Sequence, residues 1–105
     1  MSWASEYIKE LQAGRPVEFR PTGGSMKPHI QSGQLVRVTP IVTEKDLKVG
    51  DIVLCNVNGN DYLHFIKAID ITKNGKTLHF QIGNAHGGIN GWATKIFGRL
   101  TALFG

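Results

Sequence analysis

The chain has 105 residues, which is the length of one domain with one modest hydrophobic core. Its 41% hydrophobic and 19% charged residues are typical of a globular protein and exclude an intrinsically disordered one. The net charge is +4, but the basic residues are scattered along the sequence, so nucleic acid is not expected as a partner.

No apolar run approaches the roughly 20 residues that cross a bilayer, and the N-terminal residues lack the basic start and apolar middle of a signal peptide. We therefore expect no membrane span and a cytoplasmic location. The one cysteine, Cys55, excludes an internal disulfide, and its strand-like surroundings predict a small buried residue. The four histidines lack the close spacing of metal ligands, so neither a metal nor another cofactor is expected.

Residues 1–14 predict a short N-terminal helix. Ser2 is expected to cap its start, and Gly14 is expected to end it. Four apolar residues recur at helical spacing and predict a face that packs on the rest of the domain. They are Trp3, Tyr7, Ile8 and Leu11.

The rest of the chain alternates in short runs that are typical of β strands. Two Asn-Gly pairs, at residues 58–59 and 74–75, are strong hairpin signals, and residues 83–91 predict a glycine-rich loop. The predicted strands cover residues 17–20, 34–39, 52–57, 62–71, 76–82 and 95–100. We therefore expect residues 1–105 to form a single, mainly β domain.

The most distinctive segment is Gly23-Gly24-Ser25-Met26-Lys27-Pro28. Two glycines allow backbone conformations that are closed to other residues, so the hydroxyl of Ser25 can be presented without steric cover. Backbone amides around it, supported by Gly24 and Met26, would form an oxyanion hole. A plain Gly-Ser turn is the alternative interpretation, because a serine needs a nearby base to become a nucleophile.

His64, in the apolar run Tyr62-Leu63-His64-Phe65-Ile66, is the candidate base. A neutral imidazole accepts a proton near pH 7, although a buried structural histidine is the common alternative. Lys67 is the rival base, and it would need desolvation to lose its proton. The period of two along a strand places Lys67 on the face opposite His64, so both reach Ser25 only if the strand bulges.

Five short motifs follow one another along the chain. In order they are Ser25-Met26-x-Pro28, Gly50-Asp51-Ile52-Val53, Tyr62-Leu63-His64, Gly83-Asn84 and Ile96-Phe97-Gly98-Arg99. Across residues 17–100 this pattern resembles the signal peptidase I and LexA-type serine peptidases. The resemblance implies their coiled, folded-over β-sheet domain, with the serine at position 25 as nucleophile. The base position falls on His64, so the chain resembles the Ser-His members, here without a membrane anchor or DNA-binding domain.

The resemblance implies a serine endopeptidase whose substrate is a peptide or protein, signal-peptide-like or regulatory, cut after small residues. The Ser-His members carry Gly-Asp-Asn where this chain has Gly83-Asn84, so the acidic third residue is missing. Asn84 and His86 are the candidates for the group that orients the imidazole. The missing acid favours an alternative function, a catalytically inactive binding or dimerisation module that retains the fold.

Overall fold

The computed structural model describes residues 2–72 and 74–105. They form one short helix, a 3-10 turn and one antiparallel sheet with the strand order β1-β2-β7-β3-β4-β5-β6, which confirms the mainly β class. In chain order the elements are α1 (Ser5–Gln12), β1 (Val17–Phe19), β2 (Val36–Pro40), the 3-10 turn (Glu44–Asp46), β3 (Ile52–Val57), β4 (Asn60–Ile71), β5 (Leu78–Gly83), β6 (Ile89–Trp92) and β7 (Lys95–Leu103).

The helix is shorter than predicted, and its N-cap is Ala4 rather than Ser2. Ser2 lies two residues before the cap, where its hydroxyl accepts a hydrogen bond from the Ala4 N–H at 3.2 Å. Leu11 is buried against the sheet as expected, but Trp3 precedes the helix and is 52% exposed. Residue 1 of the predicted helix lies outside the described residues. Among the residues that are described, no helix has the length and apolar character needed to cross a membrane.

Both faces of the central strands are covered by apolar side chains. Along β3, Val53 and Cys55 pack with Ile66 in one cluster, whereas Leu54 packs with Leu63 in the other. This alternation follows from the period of two along a strand. A strand covered on both faces is held firmly, so β4, which pairs with β3, is a rigid support for His64.

The sheet curls so that β6 contacts β3, although β4 and β5 lie between them in the strand order. Gly91 of β6 is close enough to Val57 that a Cβ at position 91 would lie 3.2 Å from the Val57 side chain. The predicted loop 83–91 is shorter than expected, because Gly83 ends β5 and residues 89–91 belong to β6. Strand β6 pairs with β5, and the register shifts between Ile82 and Gly83. This curl carries Asn90 toward β4.

Candidate active site

The fold brings Ser25 and His64 together, although they are 39 residues apart in the chain. The serine Oγ lies 3.0 Å from His64 Nε2, within hydrogen-bond distance, which confirms the predicted juxtaposition of the two side chains. Ser25 is exposed in the turn after β1, whereas His64 is only 7% exposed on β4. The turn returns on itself through a hydrogen bond from the Gly33 N–H to the Pro21 carbonyl at 2.7 Å. Gly23, with φ at +100°, supplies the backbone conformation needed to reverse the chain there.

The environment of His64 favours the neutral imidazole. Burial lowers its pKa below the ordinary value of 6.5, and a smaller contribution from the charge of Lys67 acts in the same direction. The hydrogen bond to Asn90 raises the pKa and offsets part of this shift. The Tyr62 ring stacks on the imidazole with centroids 5.0 Å apart. At pH 7 the ring is therefore mainly uncharged and able to accept a proton.

Asn90, on β6, is the residue that orients the imidazole. Its Oδ1 accepts a hydrogen bond from His64 Nδ1 at 2.6 Å. An amide oxygen only accepts, so Nδ1 carries the hydrogen. In the neutral ring Nε2 is then the acceptor, and it faces the Ser25 hydroxyl. Sequence reasoning missed Asn90 because the expected partner was sought next to Gly83.

The expectation that Asn84 or His86 orients the imidazole is wrong. Asn84 Oδ1 instead accepts hydrogen bonds from the backbone N–H groups of His86 and Gly88 at 2.8 and 2.9 Å, which folds residues 84–88 into a tight loop. His86 Nε2 lies 2.9 Å from the Gly24 carbonyl, to which it donates. These bonds direct both side chains away from His64 because the loop closes on itself before β6 begins.

The loop formed by residues 84–88 is hydrogen-bonded to the turn that carries Ser25, here called the serine turn. The Ala85 N–H donates to the Ser25 carbonyl at 2.9 Å, beside the bond from His86 to Gly24. Met26 is 5% exposed and anchors the same turn in the core. The residues on either side of Ser25 are therefore both held by contacts outside the turn. Among residues 2–72 and 74–105, the backbone N–H of Ser25 has no hydrogen-bond acceptor.

Lys67 does not replace His64 as the partner of Ser25. The pairing of β4 with β5 shifts between Ile66 and Ala68, so the strand bulges at Lys67. The ammonium lies 5.2 Å from the centre of the Phe65 ring, and the aliphatic stem passes over Gly83. Although the strand bulges here, the partner of Ser25 Oγ is His64, and the charge of Lys67 lowers the pKa of His64, which favours the unprotonated imidazole.

A cavity of about 610 Å³ opens beside Ser25 and His64. Its apolar lining includes Trp3, Tyr7 and Phe19, which come from the N-terminal segment and β1. Polar side chains, among them Arg20, Gln31 and Asp61, complete the lining, so the cavity is concave and mixed in character. Concave sites that combine apolar walls with a few polar groups are typical of ligand binding.

Cys55 does not line this cavity. In the described part of the chain, no group of three or more His, Cys, Asp or Glu side chains is placed to bind a metal ion. Cys55 is buried as predicted, and burial raises the pKa of its thiol to about 12, so it is not a nucleophile.

Comparisons of the chain with protein-family models, with curated proteins and with solved structures find no match.

Proposed function

We propose that this protein is a serine endopeptidase-like hydrolase of the signal peptidase and LexA type, which cleaves peptide bonds with Ser25 as nucleophile and His64 as base. The single observation that carries the proposal is the 3.0 Å distance between Ser25 Oγ and His64 Nε2. The bond from His64 Nδ1 to Asn90 strengthens it, because it leaves the lone pair of Nε2 facing the hydroxyl.

In the first step, Ser25 Oγ attacks the carbonyl carbon of the scissile peptide bond while His64 Nε2 takes the hydroxyl proton. The C–N bond then breaks, and Nε2 returns the proton to the departing amine. A water molecule then attacks the acyl carbon while the same imidazole takes its proton. The bond from that carbon to Ser25 Oγ breaks, and Nε2 returns the proton to Oγ, which releases the acid product and restores Ser25. The base must be neutral at the start, and the lowered pKa of His64 favours this form.

The developing negative charge of the tetrahedral intermediate needs hydrogen-bond donors that are already in place. The Ser25 N–H, with no acceptor among the described residues, is the candidate donor. Its position is maintained because the neighbouring carbonyls of Gly24 and Ser25 are bound by His86 and Ala85. The serine turn therefore supplies both the nucleophile and the oxyanion donor.

A second candidate function, a binding or dimerisation module without catalysis, is favoured by the neutral third residue. Asn90 orients the imidazole, but an amide stabilises the imidazolium formed during attack less than a carboxylate does. We therefore expect turnover below that of an enzyme with an acidic third residue. The loss of about 10⁴ in kcat on replacing such an acid by asparagine comes from the wrong tautomer, which Asn90 avoids because it accepts from Nδ1.

The test is cleavage of a pooled peptide library at several pH values, followed by mass spectrometry of the products. Wild-type protein should cleave a subset of peptides, and Ser25→Ala should not, while both give the same circular dichroism spectrum. Ser5→Ala on helix α1 is the matched control, because Ser5 does not line the cavity. Equal product patterns for wild type and Ser25→Ala at every pH would leave the binding module as the better function.

A further inference from the structure

We propose that the cavity beside Ser25 is a specificity pocket for one bulky apolar side chain of the peptide substrate, recognised by Trp3, Tyr7 and Phe19. This inference rests on the proposed function for its role in cleavage, but the binding it describes does not require turnover. It differs from the preference for small residues that the motif resemblance implies, and it assigns a role to the N-terminal segment outside the family-like residues 17–100.

Three aromatic rings form a continuous wall of the pocket. Tyr7 and Phe19 stack with centroids 4.3 Å apart, and the Trp3 ring is tilted against Phe19 at 5.8 Å. Trp3 nevertheless keeps 52% of its surface exposed while it lines the cavity. A partly exposed indole that lines a concave site is a typical recognition group for an apolar ligand, since aromatic rings offer a large contact area at low entropic cost.

The pocket begins at the nucleophile and base themselves. Met26 follows Ser25 in the chain and Leu63 precedes His64, and both side chains line the cavity together with Ile30. All three are at least 94% buried, so they give the pocket a fixed apolar lining. A substrate side chain held there lies next to the peptide bond that is presented to Ser25.

The charged groups in the lining are already engaged. Arg20 donates to the Gly33 carbonyl at 2.9 Å, and Asp61 accepts from Asn56 Nδ2 at 2.9 Å and from the Ser2 hydroxyl. The two charges have opposite signs, so the pocket has no net charge to attract a charged side chain. An uncharged, apolar group is the occupant that costs least desolvation.

The volume of about 610 Å³ lies within the range of about 300–1,000 Å³ that is usual for ligand sites. A methyl side chain would leave most of this space without protein contacts, and each lost contact removes dispersion energy. A phenylalanine or leucine side chain offers more contact area to the aromatic wall and removes more apolar surface from water. We therefore expect affinity to rise with the size of the apolar side chain.

The experiment measures binding to Ser25→Ala protein by NMR, with the blocked peptides acetyl-Ala-Ala-X-Ala-amide in which X is Phe, Ala or Lys. The Phe peptide should bind at least about tenfold more tightly than the Ala and Lys peptides, a difference of about 1.4 kcal/mol. It should shift the Trp3 indole N–H and the Met26 and Leu63 methyl signals. Trp3→Ala should remove this preference and Trp3→Phe should retain part of it, whereas Trp92→Ala, at a tryptophan outside the cavity, should not change it.

Equal affinity for the three peptides, or shifts confined to other residues, would overturn the specificity pocket. All binding measurements use Ser25→Ala protein, which lacks the proposed nucleophile. Equal affinities would therefore count against the pocket whether or not the wild-type protein is a hydrolase. Hydrolysis of the Phe peptide by wild-type protein is measured separately. Phe-selective binding without hydrolysis supports the pocket and counts against the enzyme.

Discussion

Asn90 contacts His64 from β6, a strand that is not a neighbour of β4 in the sheet: its Oδ1 accepts a 2.6 Å hydrogen bond from His64 Nδ1. The contact exists because the sheet curls and brings β6 back toward β3. It sets the tautomer of the imidazole and turns Nε2 toward Ser25. The orientation of the imidazole toward Ser25 therefore depends on a strand that follows the glycine-rich loop.

Replacing Asn90 should affect turnover according to the charge of the new side chain. Asn90→Ala should lower kcat about ten- to a hundredfold, because a hydrogen bond to a developing charge contributes about 1.5–3 kcal/mol. Asn90→Asp should raise both kcat and the pKa of His64, since a carboxylate stabilises the imidazolium. The measurements are steady-state cleavage and an NMR titration of the His64 ring. Asn60→Ala, at the exposed start of β4, is the control that should match wild type.

The pH dependence of activity should follow the deprotonation of His64. Because burial lowers its pKa, the half-maximal rate should occur below pH 6.5, and activity should reach a plateau as pH rises further above that midpoint. A rate that is half-maximal clearly above pH 6.5 would contradict the environment described for this imidazole. The check is kcat/KM of wild type between pH 4.5 and 8.5.

The lowered pKa of His64 also predicts how the free energy of unfolding depends on pH. The unfolded chain binds a proton at His64 at a higher pH than the folded chain, so folding is favoured as pH rises. The contribution of His64 is fully present above pH 6.5 and is lost as pH falls toward its lower folded-state pKa. Urea unfolding of wild type and His64→Gln at pH 5 and pH 8 measures it. The free energy of unfolding should change more between pH 5 and pH 8 for wild type than for His64→Gln. Equal changes in the two proteins would count against the prediction.

His86 should act as a positioning residue for the serine turn. His86→Ala removes the bond to the Gly24 carbonyl and should lower kcat about two- to tenfold, with little change in KM. His86→Gln, which retains a side-chain N–H donor, should recover part of the loss. Because His86 is exposed, the free energy of unfolding should change by less than about 0.5 kcal/mol. His79→Ala, at an exposed histidine of β5, should leave kcat unchanged, and a similar loss there would remove the positioning role.

Gly83 should be intolerant of a side chain. A Cβ at this position would lie 2.5 Å from the Gly88 carbonyl oxygen and 3.0 Å from the Lys67 side chain. We expect Gly83→Ala to lower the free energy of unfolding by about 1–3 kcal/mol, because the backbone of the loop must move. Gly105→Ala, in open space at the C-terminus, is the matched control. Chemical denaturation measures both, and equal stabilities would show that the loop adjusts without cost.

The sequence by itself determined the features that depend on local pattern. The continuous apolar run before Cys55 predicted a strand with this small side chain in the core, and Cys55 is fully buried. The glycines before Ser25 and the apolar run around His64 marked the two residues that meet at 3.0 Å. Caps and boundaries were less well determined, as Ala4 shows, because several polar residues compete for a helix start.

Only the tertiary structure decided which residues complete the site. Asn90 meets His64 because the sheet curls, and the aromatic wall at Trp3 forms because helix α1 packs beside β1. The bulge at Lys67 likewise depends on the register between β4 and β5. These contacts join residues that are far apart in sequence, and no local periodicity records how strongly a sheet curls. The pair at the centre of the site was therefore readable from the chain, whereas the groups that orient and surround it were not.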